Sequence, residues 1–264
     1  MVEGRRSFAD MSLLSDLVGA IDKGSIEIVD LTAPLDAGTP VLRLPEPFGN
    51  TWRFELTEIS HYDERGPAWY WNNISTGEHT GTHLDAPIHW VTGRDAEDVS
   101  QVPPGRLVAP AVVLDHTDLA AKDPDHLLEV DDVRAWQAGN GPLPAGGWLL
   151  YRTGWDARGE DDEAFLNAGH TPGISVECAR WLAEETPIIG VGVETVGTDA
   201  GAAHSFEPAF PCHSFLLGAG KYGLTQLRNL ARLPARGAVV IAAPLPIVRG
   251  SGSPCRVLAL IENP

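Results

Sequence analysis

Short apolar runs recur along this chain at the length of buried β-strands, and helical segments separate several of them. The predicted strands of this kind cover 107–115, 148–151, 188–193, 238–243 and 256–261. A helix is predicted from Asp131 to Gln137, and another begins after Ser175, a residue type that caps helix N-termini. Alternating strands and helices are typical of a mixed sheet flanked by helices, so the sequence predicts an α/β fold.

Further elements are predicted before residue 107 and in the loop and helix between 197 and 230. Near the start, apolar residues recur at spacings of three and four, which predicts an amphipathic helix covering an edge of the core. These further elements are a helix at 8–22, strands at 25–32, 52–59 and 68–74, a loop at 197–212 and a helix at 224–230. Because the 28 glycines and 21 prolines are scattered at turns and form no linker, we predict one domain over 1–264, with 1–24 as an N-terminal helical extension.

The charge balance excludes two classes of partner. The 264 residues include 19 Lys and Arg against 36 Asp and Glu, which gives a formal charge of -17. A chain of this sign repels nucleic acid and acidic membranes, so neither is an expected partner. The longest strongly apolar stretch, 238–248, is too short to span a bilayer and contains Pro244 and Pro246, so no transmembrane helix is predicted.

The N-terminal residues and the cysteines indicate the compartment. Polar residues interrupt the leucines after the first charged residues, so the continuous apolar core of a secretory signal is missing. Cys178, Cys212 and Cys255 are odd in number and widely separated, which favours reduced thiols that pack in the core over a disulfide framework. We therefore expect a cytoplasmic protein.

The segment that carries chemistry lies at 75–89. His79, His83, Asp85 and His89 fall within eleven residues, although the whole chain has only 9 histidines. Convergent imidazole and carboxylate donors are what a divalent metal ion requires, so this cluster predicts a mononuclear metal site. The histidines expected at solvent-exposed surface positions, outside the site, are His61, His116, His126 and His170.

The same cluster resembles the signature of the cyclase-type, kynurenine-formamidase-like metal hydrolases. The matching residues read His-x-Gly-Thr-His-x-Asp-x-Pro-x-His from 79 to 89. The resemblance implies a single α/β domain of the swivelling β/β/α type, a metal ion ligated by His79, His83 and Asp85, and a role for His89 in proton transfer. Either Asp85 or His89 can accept the proton of the attacking water, and His89 is suited to return it to the departing amide nitrogen.

The resemblance also points to two later positions. His213 matches a histidine of the family, and Gln226 stands near the position where two-metal formamidases carry a glutamate. A neutral amide is a poor ligand for a second cation, so we expect one divalent ion, Mn²⁺ in preference to Zn²⁺. His213 and Gln226 are then expected to bind substrate.

Within this family, the aromatic run at 69–71 next to the histidine segment resembles the isatin-hydrolase branch, which opens the lactam ring of isatin to isatinate. Trp69 and Trp71 are expected to offer flat surfaces to a small aromatic amide, although core packing is an equal alternative. The alternatives to this activity are an arylformamidase that releases formate, a cyclase or dehydratase, and a non-catalytic metal- or ligand-binding homologue. The resemblance further implies a homo-oligomer, a dimer or higher assembly.

Overall fold

The computed structural model describes residues 12–159 and 161–263. Twelve strands occur in these ranges: β1 Ile26–Asp30, β2 Glu55–His61, β3 Tyr70–Ser75, β4 His83–Asp85, β5 Val108–Asp115, β6 Leu127–Leu128, β7 Trp148–Arg152, β8 Gly173–Ile174, β9 Gly190–Val193, β10 Tyr222–Thr225, β11 Arg236–Pro244 and β12 Gly252–Glu262. The α-helices are α1 Leu13–Asp22, α2 Thr117–Lys122, α3 Val130–Asn140, α4 Asp162–Leu166 and α5 Val176–Glu184. A π-helical segment covers Cys212–Leu217. The 3₁₀ turns are Pro87–His89, Val91–Gly93, Val99–Gln101, Pro104–Arg106, Trp155–Arg158, Asn167–Gly169, Gly201–Ser205 and Leu230–Arg232.

One mixed sheet forms the body of the molecule. Its strand order is β1-β12-β11-β5-β7-β9-β10-β4, and β4 also pairs with β12, so the sheet closes into a barrel-like core. β5, β7, β9 and β10 run parallel to their neighbours within this group, while the remaining pairings are antiparallel. β2 and β3 form a separate antiparallel hairpin. The mixed α/β fold predicted from the sequence is confirmed.

The parallel strands are buried on both faces, which explains their continuous apolar sequences. Trp148, Leu150 and Leu224 belong to the cluster on the inner face of the barrel. Leu149 and Val191 belong to the outer cluster, which packs against α3 and α5. The barrel interior is therefore a packed apolar core.

Several predicted elements have the expected identity and shifted ends. The helix after Ser175 is confirmed as α5, and the Ser175 hydroxyl accepts a hydrogen bond from the Cys178 amide at 3.2 Å. The three cysteines are free and buried, as predicted. None of the helices in the described ranges has the length and apolar character needed to cross a membrane.

Two predictions from local pattern fail. The helix predicted at 224–230 is wrong, because 222–225 forms β10, held between β9 and β4 in the sheet. In the predicted helix at 8–22, residues 8–11 lie outside the described ranges, and α1 begins at Leu13. No residue of α1 is fully buried, and Leu13, Leu14 and Val18 are exposed, so the helix covers the core edge only partly.

Candidate metal centre

The histidine-rich segment is positioned by β4, the short strand that closes the barrel. Asp85 lies opposite Gly223 of β10 and Gly252 of β12. A Cβ atom at Gly223 would lie 2.8 Å from Asp85 Oδ2, and one at Gly252 would lie 2.6 Å from His79 Cε1. Glycine at both positions leaves the space that the carboxylate and the imidazole occupy, so the closing strands are shaped around the cluster.

Two imidazole nitrogens approach the same oxygen of Asp85. His79 Nδ1 is 2.8 Å from Asp85 Oδ1, and His83 Nε2 is 3.3 Å from it. Asp85 is 2% exposed and His83 is also buried. Burial raises the pKa of Asp85, but the nearby His83 and His79 outweigh this effect and hold the pKa well below its ordinary value. Asp85 is therefore a carboxylate in this environment.

The opposite nitrogen of each imidazole already has an acceptor. The Ser251 hydroxyl donates to Glu78 Oε2 at 2.6 Å, so its oxygen accepts from His79 Nε2 at 2.8 Å. His83 Nδ1 donates to the Gly81 carbonyl oxygen at 2.7 Å. The nitrogen of each ring that faces Asp85 Oδ1 is therefore the one that would ligate a metal ion, as in carboxylate–histidine–metal arrangements. Two ring nitrogens within 3.3 Å of one carboxylate oxygen are a donor set that suits a divalent metal ion.

His89 stands beside this centre. In the described part of the chain, one group of donor atoms within 4.8 Å of one another could hold a metal ion, and it comprises His79, Asp85 and His89. The His89 ring stacks on the His79 ring at 3.9 Å between centroids. Burial lowers the pKa of His89 to about 3, so its imidazole is neutral at physiological pH and has a ring nitrogen that can contact the ion.

His213 lies on the far side of His89, with 5.3 Å between the ring centroids. It belongs to the π-helical segment, whose first amides bond to Asp199: Oδ1 accepts from Cys212 N at 2.7 Å and Oδ2 from His213 N at 3.2 Å. Asp199 Oδ2 also accepts from His213 Nδ1. Burial lowers the pKa of His213, but the hydrogen bond and charge of Asp199 outweigh it, so the net pKa is raised. Asp199 thus fixes the ring and favours its protonated form.

Sequence reasoning missed Asp199, Ser251 and Glu78. Asp199 follows the predicted strand at 188–193 in a Gly-Thr-Asp turn, which was a weak signal for a polar residue at a strand end. Glu78 adjoins His79 in the sequence, but its contact with Ser251 spans 173 residues. No local pattern predicts a contact of that separation.

Other predicted site residues lie elsewhere. The Gln226 side chain donates to the Pro40 carbonyl oxygen at 3.2 Å, which ties it to the loop after β1. Trp69 precedes β3 and Trp71 lies in it, and the two side chains are 49% and 53% exposed. Among the described residues, neither ring stacks on the histidine cluster.

The four histidines expected on the surface fall into two groups. His61 and His170 are exposed, as predicted. His116 and His126 are half-buried, and His116 Nδ1 lies 2.9 Å from His126 Nε2, so the prediction of solvent-exposed positions is wrong for this pair. Their sequence separation of ten residues concealed the contact.

Comparison with known proteins agrees with the motif. The Cyclase family model matches residues 29–200. An isatin hydrolase of Roseibium aggregatum is 46% identical over 259 residues, covering 96% of this chain and 98% of that protein. A kynurenine formamidase of Salinibacter ruber is 28% identical over 190 residues, covering 70% of this chain and 77% of that protein.

Solved structures give the same result at the level of the fold. The crystal structure of an isatin hydrolase bound to the product analogue thioisatinate matches with a TM-score of 0.92 and 44% identity, covering 96% of this chain and all of that one. The family model spans more than half of the chain, and a relative of nearly half identity spans almost all of it. The chain therefore belongs to the Cyclase family, the family predicted from its histidine motif.

Proposed function

We propose that this protein is a metal-dependent hydrolase that opens the lactam ring of isatin to give isatinate. The observation that carries the proposal is the convergence of His79 and His83 ring nitrogens on the buried carboxylate of Asp85. Similarity to isatin hydrolases over almost the whole chain supports the substrate, since one of those proteins has been solved with thioisatinate bound.

One divalent ion per chain is held by His79, His83 and Asp85 in this proposal. Two imidazoles and one carboxylate suit Mn²⁺ or Zn²⁺, and we favour Mn²⁺. When bound, the ion polarises the attacked carbonyl and lowers the pKa of a water molecule toward neutrality. Elemental analysis of dialysed protein is expected to give one equivalent, and two retained equivalents would contradict a single site.

The residues around the ion transfer protons and orient the substrate. Ring opening breaks the bond between the lactam nitrogen and its carbonyl carbon, adds one water molecule and leaves an aniline nitrogen and a carboxylate. His89, whose ring stacks on His79 beside the ion, accepts a proton from the attacking water and returns it to the departing nitrogen. His213, held by Asp199 with a raised pKa, donates a hydrogen bond to the substrate oxygen that becomes negatively charged.

A homo-oligomer, a dimer or higher assembly, is the second part of the proposal. The hairpin of β2 and β3 exposes large apolar side chains, among them Trp71 and Ile74. Several large apolar side chains exposed on one short hairpin are typical of protein interfaces. A second copy packed on the hairpin is expected to shield Trp69 and Trp71, and light scattering of the purified protein tests whether the chain forms a dimer or higher assembly. The three free cysteines favour a reducing, cytoplasmic location.

Substrate turnover distinguishes this function from its alternatives. We expect the purified, metal-loaded protein to convert isatin to a product heavier by one water, and removal of the metal to abolish the reaction. Formate release from N-formylkynurenine without isatin opening would instead identify an arylformamidase, the activity named for the Salinibacter relative. Retention of metal with no turnover of either compound would indicate a binding protein.

A further inference from the structure

The turn that carries His89 and the π-helical segment that carries His213 come from distant parts of the chain and meet beside the metal centre. The two imidazole rings lie 5.3 Å apart between centroids. Asp199 fixes the His213 ring within its own segment, where Oδ2 accepts from both the ring and the backbone amide. The distance between the two rings therefore depends on how the π-helical segment is placed against the His89 turn.

The backbones of the two segments approach each other closely. A Cβ at Gly93 would lie 3.0 Å from the Leu217 carbonyl oxygen, and one at Gly218 would lie 2.9 Å from Thr92 Oγ1. The Thr92 hydroxyl donates to the Ser214 carbonyl oxygen at 2.8 Å. The turns after β4 therefore rest directly on the π-helical segment, and glycine on both sides permits this contact.

Trp90, the residue after His89, makes a side-chain link between the two segments. Its Nε1 donates to Ser214 Oγ at 3.2 Å, and Ser214 is the residue after His213. The Ser214 hydroxyl donates in turn to the Ala209 carbonyl oxygen at 3.1 Å. The hydroxyl thus accepts from one segment and donates to the chain that leads into the other, so its orientation is fixed from both sides.

Aromatic contacts of Trp90 reinforce this link. The Trp90 ring lies 4.9 Å from the His213 ring and 5.6 Å from the Phe210 ring, the latter in an edge-to-face arrangement. Phe210 has a φ of 52°, in the left-handed region that an aromatic residue rarely adopts. Strained backbone of this kind persists where surrounding contacts hold it. The chain thus enters the π-helical segment through a residue packed against Trp90.

We propose that the hydrogen bond between Trp90 and Ser214 sets the separation of the two rings, so that both are positioning residues for the reaction. The inference rests on the function proposed above, in which His89 moves a proton and His213 stabilises the negative oxygen of the same substrate. Both actions require hydrogen-bond reach in the transition state. The metal ligands stand on β4 and the turn before it, so metal binding does not depend on this bond.

A double-mutant cycle on the metal-loaded full chain tests the proposal. Trp90→Phe keeps an aromatic ring and removes the indole N–H, and Ser214→Ala removes its acceptor. Each variant is expected to lower kcat for isatin roughly tenfold, within the ~10²-fold that a misplacement of about 1 Å can cost, with KM and metal content nearly unchanged. Because both variants remove the same bond, the double variant should be no slower than the slower single variant.

Trp136→Phe is the matched control. Trp136 Nε1 donates to the Val113 carbonyl oxygen at 3.0 Å, and the ring packs on the outer cluster of the sheet. This variant removes an indole hydrogen bond away from the metal centre and should leave kcat unchanged. If Trp90→Phe does not fold, Ser214→Ala carries the test alone. Unchanged kcat in the single variants, losses that multiply in the double variant, or an equal loss in Trp136→Phe would overturn the proposal.

Failure of the proposed function gives a different result. If the native chain opens no isatin, that function fails, and the imidazole nitrogen resonances of His89 then decide the inference in the diamagnetic Zn²⁺ form. Ser214→Ala should shift these resonances although it lies on the opposite segment and leaves the Trp90 ring in the chain. Trp136→Phe should leave them in place. Resonances of His89 that do not move in Ser214→Ala would overturn the proposal.

Discussion

Asp85 and Glu194 are two carboxylates with nearly the same burial and opposite ionisation behaviour. They are 2% and 1% exposed, yet the pKa of Asp85 lies well below its ordinary value and the pKa of Glu194 is raised to about 7. Burial raises the pKa of both groups, but only Asp85 faces imidazoles, while Glu194 faces backbone amides. The partners of a buried carboxylate, more than its depth, decide what it can bind.

The largest expected effect tests the Asp85 half of this comparison. Asp85→Asn removes the charge on which His79 and His83 converge, so the protein should lose its metal ion and at least roughly 10³-fold of kcat/KM for isatin, the scale of several kcal/mol of lost charge stabilisation. Metal content by elemental analysis and steady-state rates measure both effects. Glu177→Gln, which removes an exposed carboxylate on α5, serves as control, and full metal occupancy in Asp85→Asn would refute the assigned ligand set.

Variants of His89 test whether this residue transfers protons or ligates the metal ion. His89→Ala should keep the metal ion while kcat falls by roughly 10²–10⁴-fold, the usual effect of losing a positioned acid–base group. His83→Ala should lose the ion. If both variants lose it to the same extent, His89 is a ligand, as its place in the tight donor group allows.

A variant of Asp199 tests the pairing of its carboxylate with protonated His213. Asp199→Asn removes the carboxylate that stabilises protonated His213, so the pKa of His213 should fall and the alkaline limb of the kcat/KM profile should move to lower pH. A roughly tenfold fall in kcat at neutral pH is expected. An unchanged alkaline limb would show that His213 does not act in its protonated form.

The last expected effect concerns Glu194 and appears in stability, not in catalysis. Because its folded pKa of about 7 exceeds its ordinary value of 4.5, folding takes up a proton, and stability is greatest below pH 4.5 and falls as pH rises through 7. The loss is of the order of 3 kcal/mol. Urea unfolding at pH 5 and pH 8 should show a smaller difference in Glu194→Gln than in the native chain, and equal differences would contradict the raised pKa.

The sequence predicted the Asp85 region far better than the Glu194 region. The metal-binding side chains could be predicted because they all fall between residues 79 and 89, and residues so close in sequence, on one turn and one short strand, must lie together. Glu194 stands in a Val-Gly-Val-Glu run with no nearby polar partner, so its contacts depend on segments more than 30 residues away. Apolar runs of strand length predicted most of the sheet, whereas β4 and β10 were missed because a closing strand of three or four residues is stabilised by neighbours and not by its own pattern.

The pairing of β4 with β12 has a consequence for the order of events during folding. His79 and Asp85 meet Ser251 and Gly252 only after some 170 residues of chain have been brought together. Contacts of such sequence separation form slowly, because the entropy of a long loop is lost before they stabilise the chain. The hydrogen bonds that support the donors thus exist only once the barrel is closed, so the fully supported metal site is expected to form late in folding.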